Sequence, residues 1–179
     1  HDYKECSCGS CAVDGGHDYL RRCSETPDGY IALDREGKQL APFQTWRNSN
    51  TQAAADTLTE LFAFNIPLRW TIAHLYQRIL DREEHVSRLD FVTTLDSYIH
   101  WKLTGNKVTG IGDASGIFPI DSKTLDYDAA MMEKFDALIQ DRAYPWKTRE
   151  IFPKILTAGE RAGCLTEAGA AMLDNSGCL

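Results

Sequence analysis

The chain has 179 residues, 43% hydrophobic and 25% charged, which suits one domain with a buried core and does not resemble disordered or collagen-like chains. It has 19 Lys and Arg against 26 Asp and Glu, and the net charge of −7 argues against a nucleic-acid partner, which requires a basic face. No apolar run approaches the roughly 20 residues of a membrane helix, and no signal-peptide pattern is present, so we predict no membrane partner.

The first regular elements are predicted from Gly29 onward, where the chain takes on an α/β pattern. Gly29–Asp34 is a short apolar run, Arg35–Lys38 has the composition of a turn, and Gln39–Phe43 follows as a second extended segment. This pattern predicts a hairpin at the edge of a sheet.

Helical periodicity accounts for most of the remaining chain. Helices are predicted over Thr51–Asn65, Trp70–Arg82, Asp128–Gln140 and a last stretch from about Thr166 to Asp174. Ser87–Asp90 resembles a capping box, which predicts that another helix begins there. That helix would carry Phe91, Leu95 and Ile99 on one stripe and end at Gly105.

The first 23 residues differ from the rest in being rich in Cys, Gly and Asp. Cys6, Cys8 and Cys11 form a C-x-C-x-x-C string, and Cys23 is available as a fourth ligand. Thiolates this close suit Zn²⁺, which takes four sulfur or imidazole ligands tetrahedrally, so the segment is a candidate zinc site. The alternative is a loop with free, reduced cysteines. The clustering does not fit a disulfide framework, and we predict a reducing, cytoplasmic location.

Several strings in the remainder of the chain are specific in sequence, order and spacing. They are Pro42-Phe-Gln-Thr-Trp-Arg-Asn48, Asn65-Ile-Pro-Leu-Arg-Trp70, Ile72-Ala-His-Leu-Tyr76, Tyr98-Ile-His-Trp-Lys-Leu-Thr-Gly105, Gly112-Asp-Ala-Ser-Gly-Ile-Phe-Pro-Ile-Asp121, Ala158-Gly-Glu-Arg-Ala-Gly163 and Leu165-Thr-Glu167. Together they resemble the N-terminal domain of the FGGY family of carbohydrate kinases, with the D-xylulose kinases as the nearest branch. The resemblance extends over residues 29–179.

The resemblance implies an α/β fold, a partial actin-like (ribonuclease-H-like) ATPase domain rich in helices. Such domains close with a second domain around ATP, Mg²⁺ and a sugar. The implied reaction is phosphorylation of a ketopentose such as D-xylulose. The resemblance also implies a sugar contact by Trp46, Arg47 and Asn48, since an indole stacks on a sugar face while Arg and Asn hydrogen-bond hydroxyls. The alternative is that Trp46 packs in the core and Arg47 pairs with an acidic neighbour.

Parts of the family's catalytic machinery have no counterpart in these residues. No Asp-x-Gly-Thr phosphate turn precedes Gly29 at the family's spacing, and Val13-Asp-Gly-Gly16, which resembles one faintly, lies too close to that strand. The family's catalytic-base Asp falls beyond Leu179, and Asp113 matches a different, structural motif. We assign no catalytic residue, and we expect this chain to be an inactive fragment that lacks the kinase C-terminal domain.

Five further residues are interpreted structurally. His74 lies on the apolar stripe of its helix and is predicted to be a hydrogen-bonded core histidine. His100 and Trp101 are predicted to pack in the core near a helix end. Asp113 and Ser115 are predicted to hydrogen-bond the backbone of a tight turn.

The N-terminal segment, residues 1–23, resembles the C-terminal part of a small Cys-containing protein type found in phages, through His1–Cys8 and Ala12–Arg22. Residues 24–28 are then a junction to the kinase-like segment 29–179. The first hypothesis is a sugar-kinase domain fragment. The second is a zinc-binding or interaction module that carries an inert kinase-derived domain, and the third is a truncated, non-functional product. Because the first residue is His1, we also expect a trimmed, processed or partial chain.

Overall fold

The computed structural model shows a mixed α/β chain in which helices alternate with short strands. The backbone is described for residues 4–5, 11–15, 20–24, 29–42, 44–45, 48–174 and 176–177. Side chains are described for residues 30–42, 48–174 and 176–177.

Helices are the commonest regular structure in the described chain. They are α1 (Gln52–Phe62), α2 (Thr71–Leu80), α3 (Leu95–Thr104), α4 (Ile111–Ile117), α5 (Ala129–Leu138), α6 (Thr148–Ile151) and α7 (Glu167–Leu173). Short 3₁₀ turns at Glu84–Arg88 and Gln140–Arg142 follow α2 and α5. Within the described ranges, no helix combines the length and apolar composition that a bilayer-spanning helix needs. The predicted helices at α1, α2, α5 and α7 are confirmed, although α1 ends earlier than expected because Ala63 adopts a left-handed conformation with φ 50°.

The strands form several small sheets. They are β1 (Lys4–Glu5), β2 (Cys11–Gly15), β3 (Leu20–Ser24), β4 (Gly29–Leu33), β5 (Gln44–Thr45), β6 (Phe91–Thr93), β7 (Val108–Gly110), β8 (Ile120–Asp121), β9 (Asp126–Tyr127) and β10 (Lys154–Leu156). β1, β2 and β3 form an antiparallel meander, and β5, β4 and β6 form a second antiparallel sheet in that order. β7 pairs in parallel with β10, whereas β8 and β9 are antiparallel. The chain between β7 and β10 is the long crossover that parallel pairing requires.

β4 is the central strand of its sheet. Leu33 bridges Gln39, and the amide of Leu40 donates to the carbonyl of Ala32 at 2.9 Å, so the chain folds back on itself as predicted. Gly37 allows this turn because its φ is 75°. The hairpin lies at one edge of this sheet, as predicted, because β6 pairs along the other side of β4.

The predicted capping box at Ser87 is not present. The Ser87 hydroxyl donates to a carbonyl of its own 3₁₀ turn, and α3 begins only at Leu95. Between them Phe91–Thr93 forms β6, since aromatic and β-branched residues suit a strand and β4 offers them a partner. The predicted helical stripe was therefore wrong: Phe91 is buried in a strand, while Ile99 on α3 is 48% exposed.

α2 is buried on most of its surface, and Ile72 and Leu75 pack in the main core. His74 is fully buried, as predicted, with its ring centroid 6.2 Å from that of Tyr30. The predicted hydrogen bonds are absent, because neither ring nitrogen of His74 has a partner among the described residues, and the Tyr30 hydroxyl lacks one too. Burial and the nearby charge of Arg78 lower the pKa of His74 to about 4. The ring is therefore neutral at physiological pH.

α7 packs closely against α3. Thr166 begins α7 as predicted, since its hydroxyl accepts from the amide of Gly169 at 3.0 Å. The amide of Thr166 donates to the carbonyl of Leu103 at 3.0 Å, which ties α7 to the end of α3. A Cβ at Gly169 would overlap the carbonyl of Leu103, so this approach requires glycine. α3 ends at Gly105, as predicted, where φ is 75°.

We predict that Gly169→Ala destabilises the protein by about 1–3 kcal/mol, since the added methyl group collides with α3 backbone that has no room to move. Urea unfolding followed by circular dichroism measures the change. Gly116→Ala is the matched control, because a Cβ there meets nothing within 4 Å and α4 should gain up to about 1 kcal/mol of helix propensity. Equal stabilities of the two variants would contradict the packing assigned to α7.

We also predict that His74 makes stability fall in acid. Its folded-state pKa is lowered from 6.5 to about 4. Between pH 6.5 and pH 4, the unfolded chain therefore binds a proton at this residue that the folded chain does not bind. The stability present above pH 6.5 is lost progressively as the pH falls towards 4, by on the order of 3 kcal/mol in total.

Unfolding curves measured at pH 7, 6, 5 and 4 test this. His74→Leu removes the titrating ring and its unpartnered nitrogens, so its free energy of unfolding should change less over the same pH range. Identical pH dependence in the variant and the parent chain would show that His74 is not the source of the acid sensitivity.

Candidate functional site

The loop predicted to contact a sugar is described only at its end. Trp46 and Arg47 lie outside the described residues, so their contacts stay predictions. Asn48 is half-buried, and its side-chain oxygen accepts from the amide of Asn50 at 2.8 Å. The next buried residue, Thr51, donates through its hydroxyl to the carbonyl of Leu68 at 2.5 Å. This bond anchors the loop beside the segment that leads into α2.

A pocket of about 420 Å³ lies at the carboxyl ends of β7 and β10. We call it the β7–β10 pocket. Its walls include Gly110 at the end of β7, Ile111 directly after it, Leu156 at the end of β10, and Ser97 and His100 from α3. Ligands of open α/β sheets bind at the carboxyl edge of parallel strands, so this is the expected place for a binding site.

Buried hydroxyls join α3 to β7 at the base of this pocket. Ser97 Oγ lies 2.8 Å from Thr109 Oγ1 and 3.2 Å from Asp96 Oδ2. Thr94, which precedes α3, donates to Ser97 Oγ at 3.3 Å. Ser97 and Thr109 are almost fully buried. Hydrogen bonds between buried hydroxyls are costly to break, so this bond fixes the position of α3 relative to β7.

A second cleft, of about 360 Å³, opens on the other side of Gly112, which lines both cavities. We call it the α2–α4 cleft. Its walls are formed by Arg69 and Trp70 at the start of α2, and by Asp113 and Ser115 of α4. Arg69 is exposed and Trp70 is half-buried. The cleft therefore offers cationic, aromatic, acidic and hydroxyl groups over a short distance.

Two carboxyl groups meet between the cavities. Asp96 lines the β7–β10 pocket and Asp113 lines the α2–α4 cleft, each in the first turn of its helix. Burial raises the pKa of Asp113 above its ordinary value, and the charge of Asp96 and a hydrogen bond between the two carboxyl groups raise it further. Paired carboxyl groups of this kind can share a proton and accept hydrogen bonds from a ligand.

The structure corrects two interpretations from the sequence. Asp113 and Ser115 lie in α4 rather than in a tight turn, although the Ser115 hydroxyl does donate to a backbone carbonyl, that of Gly112, at 2.6 Å. His100 is half-buried and lines the β7–β10 pocket instead of packing in the core, with Nε2 3.2 Å from the carbonyl of Ala162. Core packing is confirmed for Trp101.

The cysteines proposed as zinc ligands are not brought together by any described contact. Cys6 and Cys8 lie outside the described residues, and only the backbone is described for Cys11 in β2 and Cys23 in β3. In this ladder Cys11 is paired with Ser24 and Cys23 with Ala12, so the two cysteines occupy successive rungs. A search restricted to the described residues finds no group of three or more His, Cys, Asp or Glu that could hold a metal ion. Zinc binding stays a prediction.

Sequence reasoning missed Arg69 and Asp96. Arg69 stands within a string already recognised as specific, next to an aromatic residue, and that combination was the available signal. Asp96 is an acidic residue in a helical first turn, which is common for reasons of helix stability alone. Its pairing with Asp113 depends on how α3 and α4 pack together, and no pattern in the neighbouring sequence indicates it.

We predict that Asp96→Asn lowers the pKa of Asp113 towards its ordinary value, because it removes the neighbouring charge that disfavours ionisation of Asp113. Carbon-detected NMR titration of the side-chain carboxyl groups measures this shift. Asp56→Asn on α1 is the control and should leave Asp113 unchanged, since Asp56 is not among the groups that shift it. An Asp113 pKa that stays the same in Asp96→Asn would contradict the pairing.

Comparison with known proteins gives matches over nearly the whole chain. A model of the N-terminal domain of the FGGY family of carbohydrate kinases matches residues 23–176, and a model of a domain of unknown function, DUF7695, matches residues 1–24. The L-fuculokinases of Escherichia coli strains K12 and O157:H7 are each 26% identical over 155 residues. These matches cover 82% of this chain and 30% of the relatives, so the chain spans about a third of their length.

Solved structures of sugar kinases share the fold. A ligand-bound xylulose kinase and a gluconate kinase, both from Lactobacillus acidophilus, each match with a TM-score of 0.65 and 18% identity, covering 80% of this chain and 29% of theirs. A xylulose kinase from Rhodospirillum rubrum matches with a TM-score of 0.58 and 18% identity, over 82% of this chain and 30% of its own. At an identity of 18%, these matches show a shared fold and nothing further. The predicted actin-like sugar-kinase fold is confirmed.

Proposed function

This chain belongs to the FGGY family of carbohydrate kinases, and we propose that it forms the sugar-binding side of an enzyme that phosphorylates a ketose with ATP. The observation that carries the proposal is the family match over residues 23–176. A ketopentose such as D-xylulose is the proposed substrate. Fuculose and xylulose, in the names of two relatives, are both ketoses, which supports this class of sugar.

The sugar contact in this proposal comes from Trp46, Arg47 and Asn48. The indole covers the apolar face of the sugar, while Arg47 and Asn48 hydrogen-bond its hydroxyls. The bond from Thr51 to the carbonyl of Leu68 supports this role, because it fixes the end of the loop next to the α2–α4 cleft. Binding on a fixed wall orients the attacking hydroxyl, and orientation is a large part of what a kinase contributes to phosphoryl transfer.

We assign no described residues to the ATP and Mg²⁺ of a complete kinase. Mg²⁺ is usually held by one or two carboxylates together with substrate phosphates, and the described part of the chain presents no group of three or more His, Cys, Asp or Glu that would hold a metal ion without such a substrate. The raised pKa of Asp113 makes its carboxyl group hold a proton more readily, which disfavours a divalent cation there. We therefore derive no step through the nucleotide or the metal.

We predict that the 179-residue chain binds a ketopentose but does not phosphorylate it. A missing general base alone costs about 10²–10⁴ in rate, and a missing phosphate turn also removes the positioning of ATP. A coupled assay with ATP, Mg²⁺ and D-xylulose should give background turnover. Saturation-transfer NMR should detect D-xylulose bound to the same protein.

A complete xylulose kinase is the positive control for the assay. Arg47→Ala should weaken D-xylulose binding at least fivefold, while Arg88→Ala, an exposed Arg on the 3₁₀ turn after α2, should leave it unchanged. Turnover near that of the complete kinase, abolished by Asp14→Ala, would show that Val13–Gly16 is a phosphate turn and that the chain is an enzyme by itself. Absence of ketose binding would contradict the sugar-binding role.

The role of the N-terminal segment remains a separate hypothesis. Its match to a domain of unknown function agrees with a segment distinct from the kinase part, and the two matches meet at residues 23–24. Zinc binding by Cys6, Cys8, Cys11 and Cys23, and a cytoplasmic location, are kept as predictions beside the kinase proposal.

A further inference from the structure

We infer that the α2–α4 cleft is a second sugar subsite, in which Trp70 provides the apolar platform and Arg69 and Asp113 bind hydroxyls, and that it selects a neutral sugar over a sugar acid. This inference rests on the proposed function, because it adds a specificity-determining subsite to the same binding side. The residues involved lie outside the Trp46–Asn48 loop.

The composition of the cleft matches the chemistry of a sugar. Sugars present an apolar C–H face and a rim of hydroxyls that donate and accept hydrogen bonds. Trp70 offers an indole that is half-buried and steadied by Phe64, whose ring centroid is 6.1 Å away. Arg69 offers only donors and Asp113 offers acceptors. The cavity of about 360 Å³ is within the range of small-molecule sites.

Arg69 is available for a ligand. It is exposed, and within the described ranges it forms no ion pair or hydrogen bond. Two other cations of the described chain are engaged: Arg78 pairs with Glu83 at 2.6 Å and Lys107 with Asp90 at 2.7 Å. A guanidinium that lines a cleft and has no partner among the described residues can donate to a sugar hydroxyl.

The cleft wall is joined to the chain that follows the proposed sugar contact. Thr51 bonds the carbonyl of Leu68, and Leu68 directly precedes Arg69, so the end of the Trp46–Asn48 loop and the cleft wall are held together. Gly112 lines the cleft on one side and the β7–β10 pocket on the other.

The acidic pair of Asp96 and Asp113 makes the cleft prefer a neutral sugar to a sugar acid. Asp113 lines the cleft, and Asp96 lies close enough for its charge to act on Asp113, so acidic groups line this side. A carboxylate brought into this cleft by a sugar acid would be repelled by these carboxyl groups, whereas a neutral hydroxyl would donate to them. Arg69, which is exposed to water as the two acidic residues are, offsets the repulsion only in part.

The test compares D-xylulose and D-gluconate binding to the full 179-residue chain by ligand-observed NMR, with folding of each variant checked by circular dichroism. D-xylulose should bind at least fivefold more tightly than D-gluconate. Arg69→Ala should weaken D-xylulose binding at least fivefold, while Arg88→Ala should change it less than twofold. Asp113→Asn removes a carboxyl group from the cleft wall and should narrow the difference in affinity between D-xylulose and D-gluconate.

The outcomes separate this inference from the proposed function. If Arg47→Ala weakens D-xylulose binding while Arg69→Ala does not, the sugar-binding role stands and the subsite is overturned. If D-gluconate binds as tightly as D-xylulose to the parent chain, or Asp113→Asn leaves their ratio unchanged, the selection for a neutral sugar is overturned. If the folded parent chain binds neither ligand, both the subsite and the proposed function are overturned.

Discussion

The parallel pairing of β7 with β10 is the constraint on which both cavities depend. Val108 is opposite Lys154 and Gly110 is opposite Leu156, so the carboxyl ends of two strands far apart in sequence finish at the same edge. The chain that leaves β7 there becomes α4, which supplies the inner wall of the α2–α4 cleft. Without this pairing, neither the β7–β10 pocket nor the meeting of Asp96 with Asp113 would be held in place.

Lys107 secures the start of that pairing. Its carbonyl accepts from the amide of Lys154 at 3.0 Å, which extends the ladder by one residue. Its ammonium pairs with Asp90 at 2.7 Å and lies 4.8 Å from the ring centroid of Phe91. A single side chain thus links β7 to the strand that completes the β4 sheet. The pair is partly exposed, so the link contributes more to alignment than to stability.

Features decided within a few residues were predictable from the sequence, and features decided by distant pairing were not. Gly105 ends α3 and Thr166 caps α7, because each of these roles depends on local backbone conformation or on an adjacent turn. Phe91–Thr93 became a strand because β4 lies beside it, a fact that helical periodicity cannot reveal. The same limit applies to the candidate site: Asn48 is predicted as a sugar contact from a family string, whereas the pairing of Asp96 with Asp113 arises only when two helices meet.

The polar groups considered for the site divide into buried groups and accessible groups. His74 and Tyr30 are buried without hydrogen-bond partners among the described residues, and burial raises the pKa of Tyr30, so neither can exchange a proton with a ligand near neutral pH. The accessible groups are instead Arg69, Asp113 and Ser115, arranged around a cleft. These donate and accept hydrogen bonds, which suits recognition of hydroxyls. Phosphoryl transfer demands in addition a base and a cradle for the phosphates, and we assign neither role to these groups.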